Sequence, residues 1–150
     1  MSTDLYLVPV IEGEDFAAGM ALFEALESGE GESLYEGADG RKAAKVLTDL
    51  DPRYTAFEKD YTEIARLERI REEEARRKYD EVQLNGTSRD GKPLSQFNFY
   101  RDRIIVHIYS GSTESEINTL LVALCRATGF GVVDPQSEEV YRLRPDGRLA

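Results

Sequence analysis

The sequence predicts an α+β fold: a mostly antiparallel sheet of about five strands with helices on one face, βαββαβ-like with extra helices in the first crossover. Three observations lead there. Apolar residues keep helical spacing from Phe16 to Leu26 and from Ile117 to Leu124. Between Val82 and Tyr109 the apolar period becomes two, the period of strands. The 150 residues, 41% hydrophobic and 32% charged, suit one α+β domain over 1–150, and a chain of that length buries roughly 70% of its unfolded surface.

The elements follow in order. "DLYLVPVI", from Asp4, is rich in β-formers, and Pro9, which has no N–H to donate, marks an edge position or the end of a ladder. In "EDFAAGMALFEALES" Phe16, Met20, Phe23 and Leu26 or Leu22 fall on one helix face, and Gly29 stands where a helix C-terminus favours glycine. The acidic, glycine-rich "GEGESLYEGADG" is expected to be a mobile loop. A second helix is expected from Arg41 to about Leu50, stopped by Asp51-Pro52. From Tyr54 the spacing predicts helix almost to Tyr79. Phe57, Tyr61, Ile64 and Leu67 form its stripe, and a bend or break is expected between Glu68 and Arg71. Beyond it, Glu72, Glu73 and Glu74 precede Arg76, Arg77 and Lys78 at helix-supporting spacing.

"DEVQLNG" then predicts a strand with Val82 and Leu84 on one side. "LSQFNFY" and "RIIVHIYS" predict a hairpin turning at Arg101-Asp102. Pairing Phe99 with Ile104 places Phe97 opposite Val106, and these four share a face with Ile108. Gln96, Asn98, Tyr100, Ile105, His107 and Tyr109 take the other face. A shift of one residue would scramble both faces. "STESEINTLLVALCRATG" predicts a helix capped by Ser112 or Thr113, with Glu114 and Glu116 in its first turn. Ile117, Leu120, Leu121 and Leu124 are its buried stripe, each worth about 1.5–3 kcal/mol on full burial, and Gly129 ends it. "FGVVD" and "EVYRL" are two further strands, with Asp134-Pro135 initiating a type I turn between them. A site built on Asp134 or Gln136 is the lesser reading of that segment.

The net charge of −10 argues against recognition of nucleic-acid phosphates, which needs clustered Lys and Arg. It suits either a soluble protein or one that attracts a basic protein partner. One cysteine, Cys125, allows no internal disulfide, and one Cys with one His supplies no Cys/His zinc site. Neither a signal-like start nor an apolar run of the ~20 residues of a membrane span is evident. The expected setting is the cytoplasm, with no membrane, nucleic acid, cofactor or metal, and with the sequon Asn85-Gly86-Thr87 unmodified. The acids between Glu24 and Asp39 lack calcium-loop spacing.

"AFEKDYTEIARL" and "EEEARRKYDEVQLNG", followed by a hairpin and "ATGFGVVDPQ", resemble a set of small uncharacterised bacterial proteins. Those have a helix, an LNG-like strand start, a hairpin, a helix and a terminal TG…DPQ segment. The matching residues are Leu84-Asn85-Gly86, Thr128-Gly129 and Asp134-Pro135-Gln136, and the resemblance spans the last two thirds of the chain. It implies a bacterial protein and brings across no catalytic residue.

G-x-S-x-G, Walker and H-E-x-x-H motifs are absent from the sequence. His107 is the lone candidate general base, weighed against a polar residue on a sheet face. Cys125 is expected to border the core. The hairpin's wet face is therefore the candidate binding surface, carried by Gln96, Asn98, Tyr100, His107 and Tyr109, with Gln83 and Ile105 beside them. Tyrosine among amides is a composition that recognition surfaces use. The alternative is that this face packs on the helix expected over Tyr54–Leu67 or on a second copy of the chain. The leading expectation is a non-enzymatic acidic binding protein, immunity- or antitoxin-like, that inhibits a basic protein partner. The alternatives are a homodimeric small-ligand or regulatory domain and a hydrolase-type enzyme pairing His107 with a carboxylate.

Overall fold

The computed structural model describes residues 3–28 and 40–150. In chain order they form β1 (Thr3–Val8), α1 (Phe16–Ser28), α2 (Gly40–Leu50), β2 (Tyr54–Glu58), α3 (Tyr61–Glu68), α4 (Glu72–Lys78) and β3 (Val82–Thr87). There follow β4 (Pro93–Phe99), β5 (Ile104–Ile108), α5 (Glu114–Thr128), β6 (Gly131–Asp134) and β7 (Glu139–Tyr141). All strand pairs are antiparallel, in one open sheet ordered β2-β3-β4-β5-β1-β6-β7. The fold is α+β as expected, with seven strands rather than about five. The expected mobile loop and the Gly29 helix stop lie outside the described residues, apart from Gly40, which opens α2.

β1 lies inside the sheet, between β5 and β6, and Pro9 follows its last residue, where the ladder ends. The hairpin has the expected register: Phe99 faces Ile104, and Phe97 faces Val106. Its turn is closed by the Tyr100 N–H donating to the Arg103 carbonyl at 2.9 Å. Thr113 caps α5, its side chain accepting from the Glu116 N–H, and Gly129 ends the helix in the left-handed region at φ 75°. Between β6 and β7 the Asp134 side chain accepts from the Gln136 and Ser137 N–H groups, an Asx-turn arrangement.

Two expectations are corrected. Tyr54–Glu58 is an edge strand, not helix. Tyr54, Thr55 and Phe57 are β-formers, and helix begins only at Tyr61, where the Asp60 side chain caps it by accepting from the Glu63 N–H. The four-residue step from Phe57 to Tyr61 imitates a helical stripe across that boundary. The break expected between Glu68 and Arg71 is present: Arg69 ends α3 at φ 57°, and α4 restarts at Glu72.

Helices also cover both sheet faces, not one. On the first face Leu7, Leu84, Phe97, Phe99 and Val106 pack with Ala43 and Leu47 of α2 and with Leu120 and Leu124 of α5. On the second, Phe23 and Leu26 of α1 pack on Val8 and Val133. The cause lies in β1 and β6. "LYLV" and "VV" are apolar on both sides of the pleat, so each side requires cover. Gly19 lets α1 approach closely, since an added Cβ would lie 2.9 Å from a Val133 methyl. Among the described residues α1 packs chiefly on β1, β6 and β7, and no described helix covers the second face at Thr55, Phe57 and Asn85, which are exposed.

Candidate functional site

Antiparallel pairing aligns the second-face residues in two cross-strand rows. One runs Thr55, Asn85, Gln96, His107, Asp4. The next runs Phe57, Gln83, Asn98, Ile105, Tyr6, then Val133. α1 stands over the Val133 end of the second row, its Phe23 ring stacked on Tyr6 at 3.9 Å between centroids. Along this margin of α1 opens a cleft of about 360 Å³. The sheet contributes Asp4, Tyr6, Asn98, Tyr100, Ile105 and His107; the helix contributes Met20, Phe23, Glu24 and Glu27.

The chemistry of the cleft is anionic and aromatic. Asp4, Glu24 and Glu27 bring three carboxylates, and none of the described lining residues is Lys or Arg. Glu24 and Glu27 are three apart on α1, hence on one side of the helix. His107 Nδ1 lies 2.7 Å from Asp4 Oδ1. A carboxylate only accepts, so Nδ1 carries the proton, and no described residue bonds Nε2. His107 and Asp4 are each partly exposed, at 29% and 41% of the side chain, so the pair is reached by solvent.

Burial raises the Tyr6 hydroxyl above the ordinary tyrosine value, with Asp4 and Glu27 adding to it. Burial also raises Tyr100, and Asp80 adds to it against the opposing charge of Arg103. Both rings thus keep neutral, donating hydroxyls at neutral pH. The Arg103 guanidinium lies 3.9 Å from the Tyr100 ring centroid and, itself buried, pairs with Asp102 at 2.7 Å. This buried cation holds Tyr100 from behind.

Of the expected binding residues, the structure brings Asn98, Tyr100 and His107 together in the cleft. Gln96 lies beside them, its Nε2 donating to Asn98 Oδ1 at 3.1 Å and its Oε1 accepting from the Tyr109 hydroxyl at 3.3 Å. Gln96 and Tyr109 are outside the cleft lining. Sequence reasoning missed Asp4, Tyr6, Glu24 and Glu27. The alternation of Asp4 and Tyr6 against Leu5 and Leu7 was the available signal. The expected cover by a Tyr54–Leu67 helix is absent, because Tyr54–Glu58 is a strand at the sheet edge.

Cys125 is buried, and burial pushes its thiol up to about 12. Asp134 spends one carboxylate oxygen on its own turn. Among the described residues no three His, Cys, Asp or Glu side chains gather in a metal-binding group, and no helix is long and apolar enough to cross a membrane. No protein-family model, curated protein or solved structure matches the chain.

Proposed function

We propose that this chain is an acidic binding protein whose second sheet face docks a basic protein partner, with a Lys or Arg side chain of that partner entering the cleft. The observation that carries this reading is the grouping of Asp4, Glu24 and Glu27 with Tyr6 and Tyr100 around one cleft lined by no described cation. Carboxylates pair a guanidinium or ammonium, and a tyrosine face adds cation–π attraction. The net charge of −10 accelerates encounter with a basic surface. The strip that no described helix covers, with Gln83, Asn85, Gln96 and Asn98 and the 60% exposed Phe57, supplies amide hydrogen bonding and an apolar anchor. The immunity- or antitoxin-like form of this role is an inhibitor that occludes the basic site of its target.

The test is affinity capture at low salt with the native chain and with Glu24→Gln/Glu27→Gln in parallel. A stoichiometric basic protein, released by salt and bound at least about tenfold more weakly by the double variant, is expected. Equal retention by both chains, or no stoichiometric protein, overturns the reading.

The Asp4–His107 pair favours a second reading, general-base hydrolysis. Asp4 orients the ring, Nε2 takes a proton from water as that water attacks a bound ester or amide, and the same proton passes from Nε2 to the leaving alkoxide or amine as the C–O or C–N bond breaks. Seryl and cysteinyl nucleophiles are missing from the described cleft lining, so water is the nucleophile this reading requires. A positioned base contributes ~10²–10⁴-fold. Turnover on an ester and amide panel that falls by that factor in His107→Gln supports it; turnover unchanged in His107→Gln, or none on the panel, removes it.

A further inference from the structure

The first sheet face carries a second concavity that shares no lining residue with the cleft. α2 packs over β2, β3 and β4, α5 reaches β6, and α1 lies on the opposite face, so among the described residues the β1–β6–β7 end of the first face lies between the margin of α5 and the C-terminal Leu143 and Leu149. The result is a groove of about 680 Å³. Its floor is apolar, formed by Leu5, Ile108 and Val132 of the sheet and by Ile117 and Leu121 of α5, and Leu149 near the chain terminus lines its far side. That volume lies in the range of drug-sized ligand sites, whose walls are mostly apolar with a few directing polar groups.

The polar groups at its edge select the class of ligand. The groove is lined by two carboxylates, Glu114 and Asp134, and by no described Lys or Arg. Of the other edge groups Ser112 and Thr113 are already engaged, and the Asn118 amide is neutral. The Ser112 hydroxyl donates to the Leu94 carbonyl, and Thr113 Oγ1 accepts from the Glu116 N–H. Asp134 Oδ1 holds its turn, which leaves Oδ2, with Glu114, as acceptors facing a guest. A helix N-terminus ordinarily attracts anions, but here Glu114 and Glu116 occupy the first turn of α5 and supply that negative charge themselves.

We propose that this groove binds a small amphipathic amine, its aromatic or aliphatic body on the Leu5–Val132–Ile117–Leu121 floor and its ammonium between Glu114 and Asp134. The apolar floor excludes a purely ionic guest, and the carboxylates repel an acid of the same shape. A hydroxyl in place of the ammonium would keep the packing and lose the charge-assisted hydrogen bonds.

Tryptamine is the probe. The chain contains no Trp, so indole emission excited beyond the tyrosine absorption edge reports the probe alone. Titration by anisotropy should show saturable binding of tryptamine, at least about tenfold weaker binding of tryptophol, and none of indole-3-propionate. Glu114→Gln/Asp134→Asn, which keeps an acceptor at 134 for the turn, should bring tryptamine to the level of tryptophol and leave tryptophol unchanged. Asn118→Arg, an exposed substitution at the rim, should abolish tryptamine binding, whereas Glu24→Gln/Glu27→Gln in the other cleft should leave it intact. Tryptamine that fails to bind, that binds no more tightly than tryptophol or the propionate, or that responds to the Glu24/Glu27 pair instead of the Glu114/Asp134 pair, overturns the proposal.

Discussion

Tyr54 and Gly86 face each other across the β2–β3 ladder, and the tyrosine ring lies over the place where a Gly86 side chain would begin. A Cβ added to Gly86 would stand 2.5 Å from Tyr54 Cε1 and 2.6 Å from Cζ. The ring is buried there, edge-on to Phe97 at 5.4 Å between centroids. The glycine of Leu84-Asn85-Gly86 is therefore a seat for an aromatic ring from the neighbouring strand. Gly86→Ala should displace Tyr54 and cost about 1–3 kcal/mol, the range of overpacking. Asn85→Ala, on the exposed side of the same strand, should change stability by less than about 0.5 kcal/mol. Urea unfolding of the two variants checks this, with near-ultraviolet circular dichroism reporting the loss of Tyr54 packing in the first alone.

That ring also explains why β2 was illegible in the sequence. An edge strand with one buried residue, Tyr54, shows no apolar alternation, and Phe57 with Tyr61 imitates a helical step. The β4–β5 hairpin was legible because its two strands demand the same register independently. α5 was legible because cap, acidic first turn, stripe and glycine stop agree. The second layer over β1 and β6 was present in the two-sided apolar runs "LYLV" and "VV", but strand parity alone does not say which helix covers them. The candidate site divides in the same way. Asn98 and His107 follow from strand parity, with Tyr100 just beyond the strand end. Asp4, Glu24 and Glu27 do not, because the placement of β1 beside β5 is set by tertiary packing rather than chain order.

Cys125 makes a kinetic prediction. Buried on α5 among Leu121 and Leu124, with its thiol pushed up to about 12, it holds almost no thiolate at pH 8. A disulfide reagent or iodoacetamide should leave the native protein unlabelled over the time in which free cysteine reacts fully. Labelling should appear with denaturant in step with unfolding. Fast labelling of native protein would show that the α5 face opens.

Two aspartates should move stability with pH in opposite senses. Asp80 is buried, and desolvation raises its carboxyl above the ordinary value, with Lys59 at 3.8 Å opposing the shift. Its folded value exceeds its unfolded one, so its contribution is fully present below the unfolded pKa and is lost as pH rises through the folded value. Asp51 is lowered, chiefly by the hydrogen bond from the Arg53 side chain, which pairs with it at 2.8 Å. Its contribution is present above the unfolded value and is lost as pH falls through the folded one. Solvent screening at the exposed Arg53 keeps the pair at or below about 1 kcal/mol. Asp80→Asn should therefore raise stability at pH 7 and leave it unchanged well below pH 4. Asp51→Asn should lower it at pH 7 and leave the acid value alone. Denaturation midpoints from pH 3 to 7 read both signs.

The carboxylates of the cleft make the last prediction, in which stability and binding part. In a chain of net charge −10, Asp4, Glu24 and Glu27 line one cleft whose described lining holds no Lys or Arg. Residues kept for folding would not be gathered this way, whereas residues kept for a positive guest would, at a cost to the unbound protein. Glu24→Gln/Glu27→Gln should thus stabilise the free chain, by a few tenths to about 1 kcal/mol at low salt. The gain should fade toward molar salt, where the Debye length falls to about 3 Å. The same variant should bind the basic partner more weakly, and its association rate should depend less steeply on salt. Thermal unfolding across a salt series reads the first effect, and stopped-flow association reads the second. If the double variant is instead less stable at low salt, Glu24 and Glu27 are structural, and the cleft is an ordinary surface furrow.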